Sequence, residues 1–116
     1  MTCNEIKKLE VSNIISNSSE LNKLVKQCLS IVESATLKDE EIAMWIGAGI
    51  SDLSRQGISV ESNINDGLIQ SAIVMFVKSN FGNVDIKEKE LAQKTYNLLC
   101  NNLSLSTQYK GSDSNA

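Results

Sequence analysis

The chain has 116 residues, which fits one domain of ordinary size. Its formal charge is −3 at pH 7 and it holds a single arginine, Arg55, which argues against tight nucleic-acid binding through clustered basic residues. Hydrophobic residues make up 41% of the chain and aromatic residues 4%, so aliphatic side chains must fill the core, and the absence of proline favours long helices.

The first 17 residues hold apolar side chains at a partly helical spacing: Ile6, Leu9, Val11, Ile14 and Ile15. Asn13 and Asn17 interrupt this pattern. We expect either an extra helix folded onto its own bundle or an arm that grips a neighbouring subunit, because apolar residues in a terminal segment need a partner.

An amphipathic helix is predicted next, with Ser18 or Ser19 as its N-cap. Its apolar residues follow the spacing of one helical stripe: Leu21, Leu24, Val25, Cys28, Leu29 and Val32. The polar segment 34–36 is expected to break it.

The following helix is predicted from about Leu37 to Gln56, with a capping box formed by Thr36 and Asp39 and with Gly57 as its terminator. Its apolar stripe comprises Ile42, Ile46, Ile50 and Leu53, with Trp45 beside it. Two interior glycines, at 47 and 49, each destabilise a helix by about 1 kcal/mol relative to alanine, so we expect close approach by another helix backbone there.

Segment 66–82 is the only one whose apolar residues go most of the way around a helix, which predicts a buried central helix. Those residues are Leu68, Ile69, Ala72, Ile73, Val74, Met75, Phe76, Val77 and Phe81. Asp66 is the expected N-cap, and Gly82 is expected to close the last turn in the left-handed conformation. The preceding segment 57–65 is predicted to be a loop, with a short extended piece.

A last helix is expected after Asp85, which has capping-box spacing with Glu88. Its apolar face is Ala92, Tyr96, Leu99 and Leu103. The prediction is therefore an all-α fold, a small bundle of about four main helices around a buried central helix. We divide this single domain into an N-terminal arm or extra helix (1–17), a core bundle (18–105) and a mobile polar tail (106–116).

Residues for catalysis or metal binding are scarce. The chain has no histidine, and Cys3, Cys28 and Cys100 lack the Cys-x-x-Cys spacing of zinc sites. No serine stands in a nucleophile-elbow setting. We therefore expect no enzyme activity, no metal and no cofactor. No apolar run approaches the ~20 residues that cross a bilayer and no signal peptide is evident, so we expect the protein to stay in the cytoplasm of the cell that makes it, without a membrane partner.

Three segments together resemble the small head-tail connector, or head-completion adaptor, proteins of tailed phages and prophages. The family pattern I-x-x-A-x-x-D-L-x-x-x-G-I is met, with glycine in place of alanine, by Ile46, Gly49, Asp52, Leu53, Gly57 and Ile58. The pattern A-I-x-x-Y-V-K-A-N-F-G is met, with two replacements, by Ala72, Ile73, Phe76, Val77, Lys78, Ser79, Asn80, Phe81 and Gly82. The ending L-x-L-S-x-x-Y is met by Leu103, Leu105, Ser106 and Tyr109, so the resemblance covers roughly Leu21 to Tyr109.

This resemblance implies a structural virion protein, made in the host bacterial cytoplasm and placed at the head–tail interface. Its implied form is a ring of copies, commonly twelve-fold, under the portal protein, through which DNA passes without sequence-specific binding. A stopper, neck or tail-completion protein would attach to it. The expected contact residues are Leu103, Leu105 and Tyr109 toward the portal and Ile58 and Val60, in the 57–65 loop, toward the next neck protein.

An alternative is a small helical regulatory or partner-binding module without catalysis, including a helix-turn-helix protein. The lack of a basic recognition helix speaks against DNA reading.

Overall fold

The computed structural model describes residues 20–32, 34–82 and 84–106. The arm predicted for residues 1–17, the candidate caps Ser18 and Ser19, and the tail beyond Ser106 lie outside these residues. Among the described residues the regular elements are all helices, which confirms the predicted all-α fold.

Four α-helices follow one another in the part of the chain that the structure describes. α1 covers residues 20–28, α2 is Asp39–Arg55, α3 is Gly67–Asn80 and α4 is Ile86–Leu105. A 3-10 turn, Glu61–Asn63, lies in the connection between α2 and α3. Both α2 and α4 pack against α3, which makes α3 the central helix, as predicted.

The beginning of α3 is fixed by Asp66, whose carboxylate accepts hydrogen bonds from the backbone N–H groups of Leu68 at 2.9 Å and Ile69 at 3.4 Å. This confirms the predicted N-cap. The helix then buries Ile69, Ala72, Ile73, Val74 and Val77, whereas Leu68 is half exposed.

The predicted ending of α3 is wrong. Gly82 does not adopt the left-handed conformation; the helix ends at Asn80, and Phe81 is its C-cap with extended backbone. The Phe81 side chain is 1% exposed. Because the Phe81 ring packs into the core, the chain leaves the helix at this residue. Side-chain packing therefore ends α3, whereas we expected a glycine turn to end it.

The end of α2 follows the prediction. Gly57 has a φ of +85°, its N–H donates to the Ser54 carbonyl at 3.0 Å, and the Ile58 N–H donates to the Leu53 carbonyl at 3.1 Å. These two bonds form a Schellman motif, whose left-handed residue is usually glycine. The turn directs Ile58 back into the core, where it is 3% exposed.

The start of α2 departs from the predicted capping box. The N-cap is Lys38, without a side-chain capping bond, and Thr36 contributes only its backbone carbonyl, which accepts from the Asp39 N–H at 3.1 Å. The Asp39 carboxylate instead pairs at 2.8 Å with the ammonium of Lys26 in α1, which is buried. The acidic residue therefore ties α1 to α2, a long-range contact that local spacing does not reveal.

α1 is shorter than its apolar stripe. Ser30 has a φ of 60°, and the Ile31 N–H donates to the Lys26 carbonyl at 2.8 Å, which closes the helix well before the break predicted at 34–36. Leu21 and Val25 are fully buried, but Val32 lies beyond the helix and is 69% exposed.

The helix predicted after Asp85 is confirmed, but the side-chain capping bond goes to Lys87 and not to Glu88, the third position of the predicted capping box. Asp85 is its N-cap and accepts a hydrogen bond from the Lys87 N–H at 3.1 Å. The buried face of the helix consists of Ala92, Tyr96, Cys100 and Leu103, and Leu99 packs against the same core while partly exposed.

Candidate interaction surfaces

Asp52 in α2 and Tyr96 in α4 join the two helices that flank α3. The Tyr96 hydroxyl donates a hydrogen bond to the Asp52 carboxylate, which also accepts from Arg55 Nη2 at 2.5 Å and Gln56 Nε2 at 3.0 Å. The bond from Tyr96, assisted by Arg55, holds the pKa of Asp52 below its usual range. Burial and the bond to Asp52 raise the pKa of Tyr96, so the phenol stays protonated as a donor. The hydrogen bond between Asp52 and Tyr96 therefore links α2 to α4 and has a structural role.

Phe76 of α3 fills the space between these helices. Its ring centroid lies 6.3 Å from that of Trp45 and 5.3 Å from that of Tyr96, the latter edge to face. A Cβ on Gly49 would lie 3.1 Å from Phe76 Cδ1. The close approach predicted at Gly49 exists, but a side chain makes it, where we expected a helix backbone. Gly47 is exposed and a Cβ there would meet nothing within 4 Å, so packing among the described residues does not account for that glycine.

The residues that carry the resemblance at the end of α3 have local structural roles. Asn80 Nδ2 donates to the Phe76 carbonyl at 2.9 Å and so satisfies a carbonyl in the last turn of the helix. The Gly82 N–H lies 3.4 Å from Glu41 Oε2 and thereby links this end of α3 to α2.

Beside this end of α3 lies a hollow of about 280 Å³. Its lining mixes apolar side chains with a lysine and a glutamate and includes Cys28, Leu29, Lys78, Phe81, Val84 and Glu88. Lys78, which belongs to the resemblance, is partly exposed and lines this hollow, while its neighbour Val77 is fully buried.

Three leucines form a row along the solvent side of α4, and we name it the α4 leucine row. Leu91, Leu98 and Leu105 are 66%, 64% and 82% exposed. Their seven-residue spacing is nearly two helical turns, which places them on one face, away from the buried face of the helix. Sequence reasoning missed Leu91 and Leu98, although this spacing was the signal for them. An exposed apolar row of this kind is a candidate contact with another protein.

The structure does not bring the five predicted contact residues together. Leu103 is buried in the core at 1% exposure, as are Ile58 at 3% and Val60 at 2%. Leu105 is exposed and belongs to the α4 leucine row, and Tyr109 lies outside the described residues. Of the four that lie in the described part of the chain, only Leu105 exposes its side chain to solvent.

Reactive chemistry is sparse in the described part of the chain. Cys28 and Cys100 are free thiols, and burial raises the pKa of Cys100, which keeps it protonated. No group of three or more histidine, cysteine, aspartate or glutamate side chains among the described residues is placed to hold a metal ion. The helices described here include none with the length and apolar character needed to cross a membrane.

These features define a small all-α protein that offers surfaces to other proteins. The family described as Phage connector protein matches residues 21–110, and the chain belongs to that family. The match agrees with the extent of the resemblance seen in the sequence, and it assigns the chain a structural connector role at the head–tail interface of a phage particle, in contact with other virion proteins. Comparisons with curated proteins and with solved structures gave no match.

Proposed function

We propose that copies of this protein form a closed twelve-fold ring beneath the portal, that the ring completes the packaged head, and that the tail or neck attaches to it. Membership of the connector family supports this proposal over the alternative of a regulatory module. The observation that carries it is the α4 leucine row, three apolar side chains more than half exposed on one helix face. A partner protein removes such a row from water.

The charge of the chain fits a conduit for DNA. Acidic residues number 14 and basic residues 11, and the single guanidinium, Arg55, lies beside the Asp52 carboxylate. A ring of such chains carries net negative charge, which repels phosphates and lets the duplex slide without adhering.

The portal contact is proposed to lie at the C-terminal end, formed by Leu105 and the segment 107–116, and the contact with the next neck protein at the exposed side of the 57–65 loop. In that loop Glu61 and Ser62 face solvent, while Ile58 and Val60 hold the loop to the core. Deletion of residues 107–116 tests the first assignment. Unchanged attachment to portal-bearing heads after this deletion would contradict it.

The ring itself is tested by negative-stain imaging of the full chain mixed with the portal protein of the same phage. We expect rings seated on the portal. If the protein remains monomeric and unattached over a wide range of protein and salt concentrations, the proposed function is wrong.

A further inference from the structure

We propose that Leu91 and Leu98 of the α4 leucine row in one copy pack along the outer side of α2 in the next copy, and that this contact closes the ring; Leu105 stays with the proposed portal contact. The proposal rests on the proposed function and identifies the surfaces that assemble it. The outer side of α2 is defined by Glu40, Met44, Gly47 and Ser51, which share one helix face at spacings of four, three and four residues. All four are exposed, and they lie away from the buried stripe of α2.

The two surfaces match in length. The stretch of α4 from Lys87 to Leu98 and the face of α2 from Glu40 to Ser51 each extend about 17 Å, at about 1.5 Å per residue. If the helices run parallel with Leu91 beside Met44, equal steps along both helices bring Leu98 beside Ser51.

The two surfaces also match in shape. Leucine side chains need recesses on the helix that receives them. Gly47 and Ser51 provide small positions next to Met44, which is 56% exposed. Glycine inside a helix is destabilising, and packing among the described residues does not account for Gly47. A leucine from a neighbouring copy, packed over this position, does account for it.

One complementary charge pair favours a second copy as the occupant. Lys87 lies one turn before Leu91 on nearly the same face of α4, and it is exposed. The alignment that sets Leu91 beside Met44 also sets Lys87 beside Glu40. Of the acidic residues in the first turn of α2, Asp39 pairs with Lys26 and Glu41 lies 3.9 Å from Lys38, whereas Glu40 is exposed at the outer side. Glu88 and Glu90 of α4 lie farther around that helix, on either side of the row.

This arrangement is head to tail, because each copy contributes α4 to one neighbour and α2 to the other. Contacts between two different surfaces continue from copy to copy and close into a ring when the rotation allows. Contact between two identical leucine rows would instead end at a dimer.

The first test compares Leu98→Gln with Ile86→Gln. Ile86 is a matched control, since it is 69% exposed on the same helix but lies off the leucine row. Ring formation on the portal is followed by mass photometry and negative-stain imaging as the protein concentration is raised. We expect Leu98→Gln to raise the concentration for half-maximal assembly about tenfold or more, a change equivalent to about 1.4 kcal/mol, with Ile86→Gln close to wild type. Equal assembly by the two variants would overturn the inference.

The second test exchanges the paired charges. Lys87→Glu and Glu40→Lys should each weaken assembly, and the double variant should restore it, because restoration requires the two positions to face each other across copies. If Leu98→Gln blocks assembly but the double variant does not recover, the leucine row faces a surface other than α2 and the inference is overturned.

Two further outcomes separate the possibilities. If Leu98→Gln lowers the thermal stability of the dilute monomer, the row is covered by the chain itself, for example by residues 1–17, and the inference is wrong while the proposed function stands. A wild-type protein that forms no ring on the portal refutes the proposed function, and the inference with it.

Discussion

Replacement of Tyr96 by phenylalanine removes one hydroxyl and leaves the ring in place against Phe76. The lost bond is charge-assisted, a class worth about 1.5–3 kcal/mol. Asp52 keeps Arg55 and Gln56 as donors, and its side chain is 23% exposed, so water replaces part of what is lost. We therefore expect a loss at the lower end of this range, which is a decrease of about 1.5 kcal/mol in the free energy of unfolding at pH 7. For a domain of this size that decrease lowers the melting temperature by roughly 6 °C.

The pH dependence of this effect has a definite sign. The pKa of Asp52 is lowered in the folded protein, so the stability it confers is present above its ordinary pKa, about 3.9 in the unfolded chain, and is lost as the pH falls through the folded value. The difference between wild type and Tyr96→Phe should therefore shrink below about pH 4. Urea denaturation at pH 7 and at pH 3, below the concentration at which copies assemble, measures both differences.

A double-mutant cycle with Asp52→Asn isolates the interaction between the two side chains. Tyr96→Phe should destabilise the Asp52→Asn background by less than it destabilises the wild type. Equal losses in the two backgrounds, or an undiminished loss at pH 3, would show that this hydrogen bond does not stabilise the fold and would refute the reasoning.

Three further predictions, which use five substitutions, are tested by thermal denaturation of the dilute monomer. Gly47→Ala should stabilise the protein by about 1 kcal/mol, while Gly49→Ala should gain less, because its Cβ would meet an aromatic ring at 3.1 Å; an equal gain at both positions would contradict this. Asp66→Ala should cost about 1 kcal/mol, since it removes the N-cap of α3; an unchanged melting temperature would argue against that cap. Asp39→Ala should destabilise more than Lys26→Met, because only the former removes the carboxylate from a buried ammonium; the reverse order would be inconsistent with the pair.

The helices α2, α3 and α4 could be predicted from sequence because periodicity and end signals agree there. Asp66 and Asp85 accept bonds from the N–H groups beside them, and Gly57 adopts the positive φ that a Schellman motif needs. Each of these signals acts within a few residues, so local sequence contains the whole interaction. The central position of α3 followed from its nearly all-round apolar surface.

The structure departs from the predictions where contacts between residues distant in sequence determine a helix end or the burial of a side chain. Asp39 was expected to help cap α2 but forms an ion pair with Lys26, which lies 13 positions earlier in the sequence. Phe81, through burial of its ring, ends α3 where Gly82 was expected to do so. Ile58 and Val60 are core residues, because the Schellman turn reverses the chain and returns the loop to the bundle. None of these contacts has a signature in a local window.

The candidate surface was harder to predict than the fold. Apolar spacing identified Tyr96 and Leu103 as one face of α4, but it did not show that Leu91 and Leu98 on the other side would remain uncovered. Only the packing of the folded chain shows which leucines of α4 are buried in its own core and which remain exposed to solvent.

The energy available from the α4 leucine row indicates how a ring would assemble. Burial of Leu91 and Leu98, each about two-thirds exposed, is worth about 2–4 kcal/mol, at roughly 1.5–3 kcal/mol for a fully transferred side chain. Association of two proteins costs an estimated 4–15 kcal/mol in lost translational and rotational freedom. One such contact therefore does not by itself hold two copies together, and the free protein should be mainly monomeric at low concentration. A copy already bound to the portal has lost that freedom, and the same contact then adds to its attachment as it meets a neighbour on each side. The proposed contact thus favours assembly of the proposed ring on the portal, copy by copy, over assembly beforehand in solution.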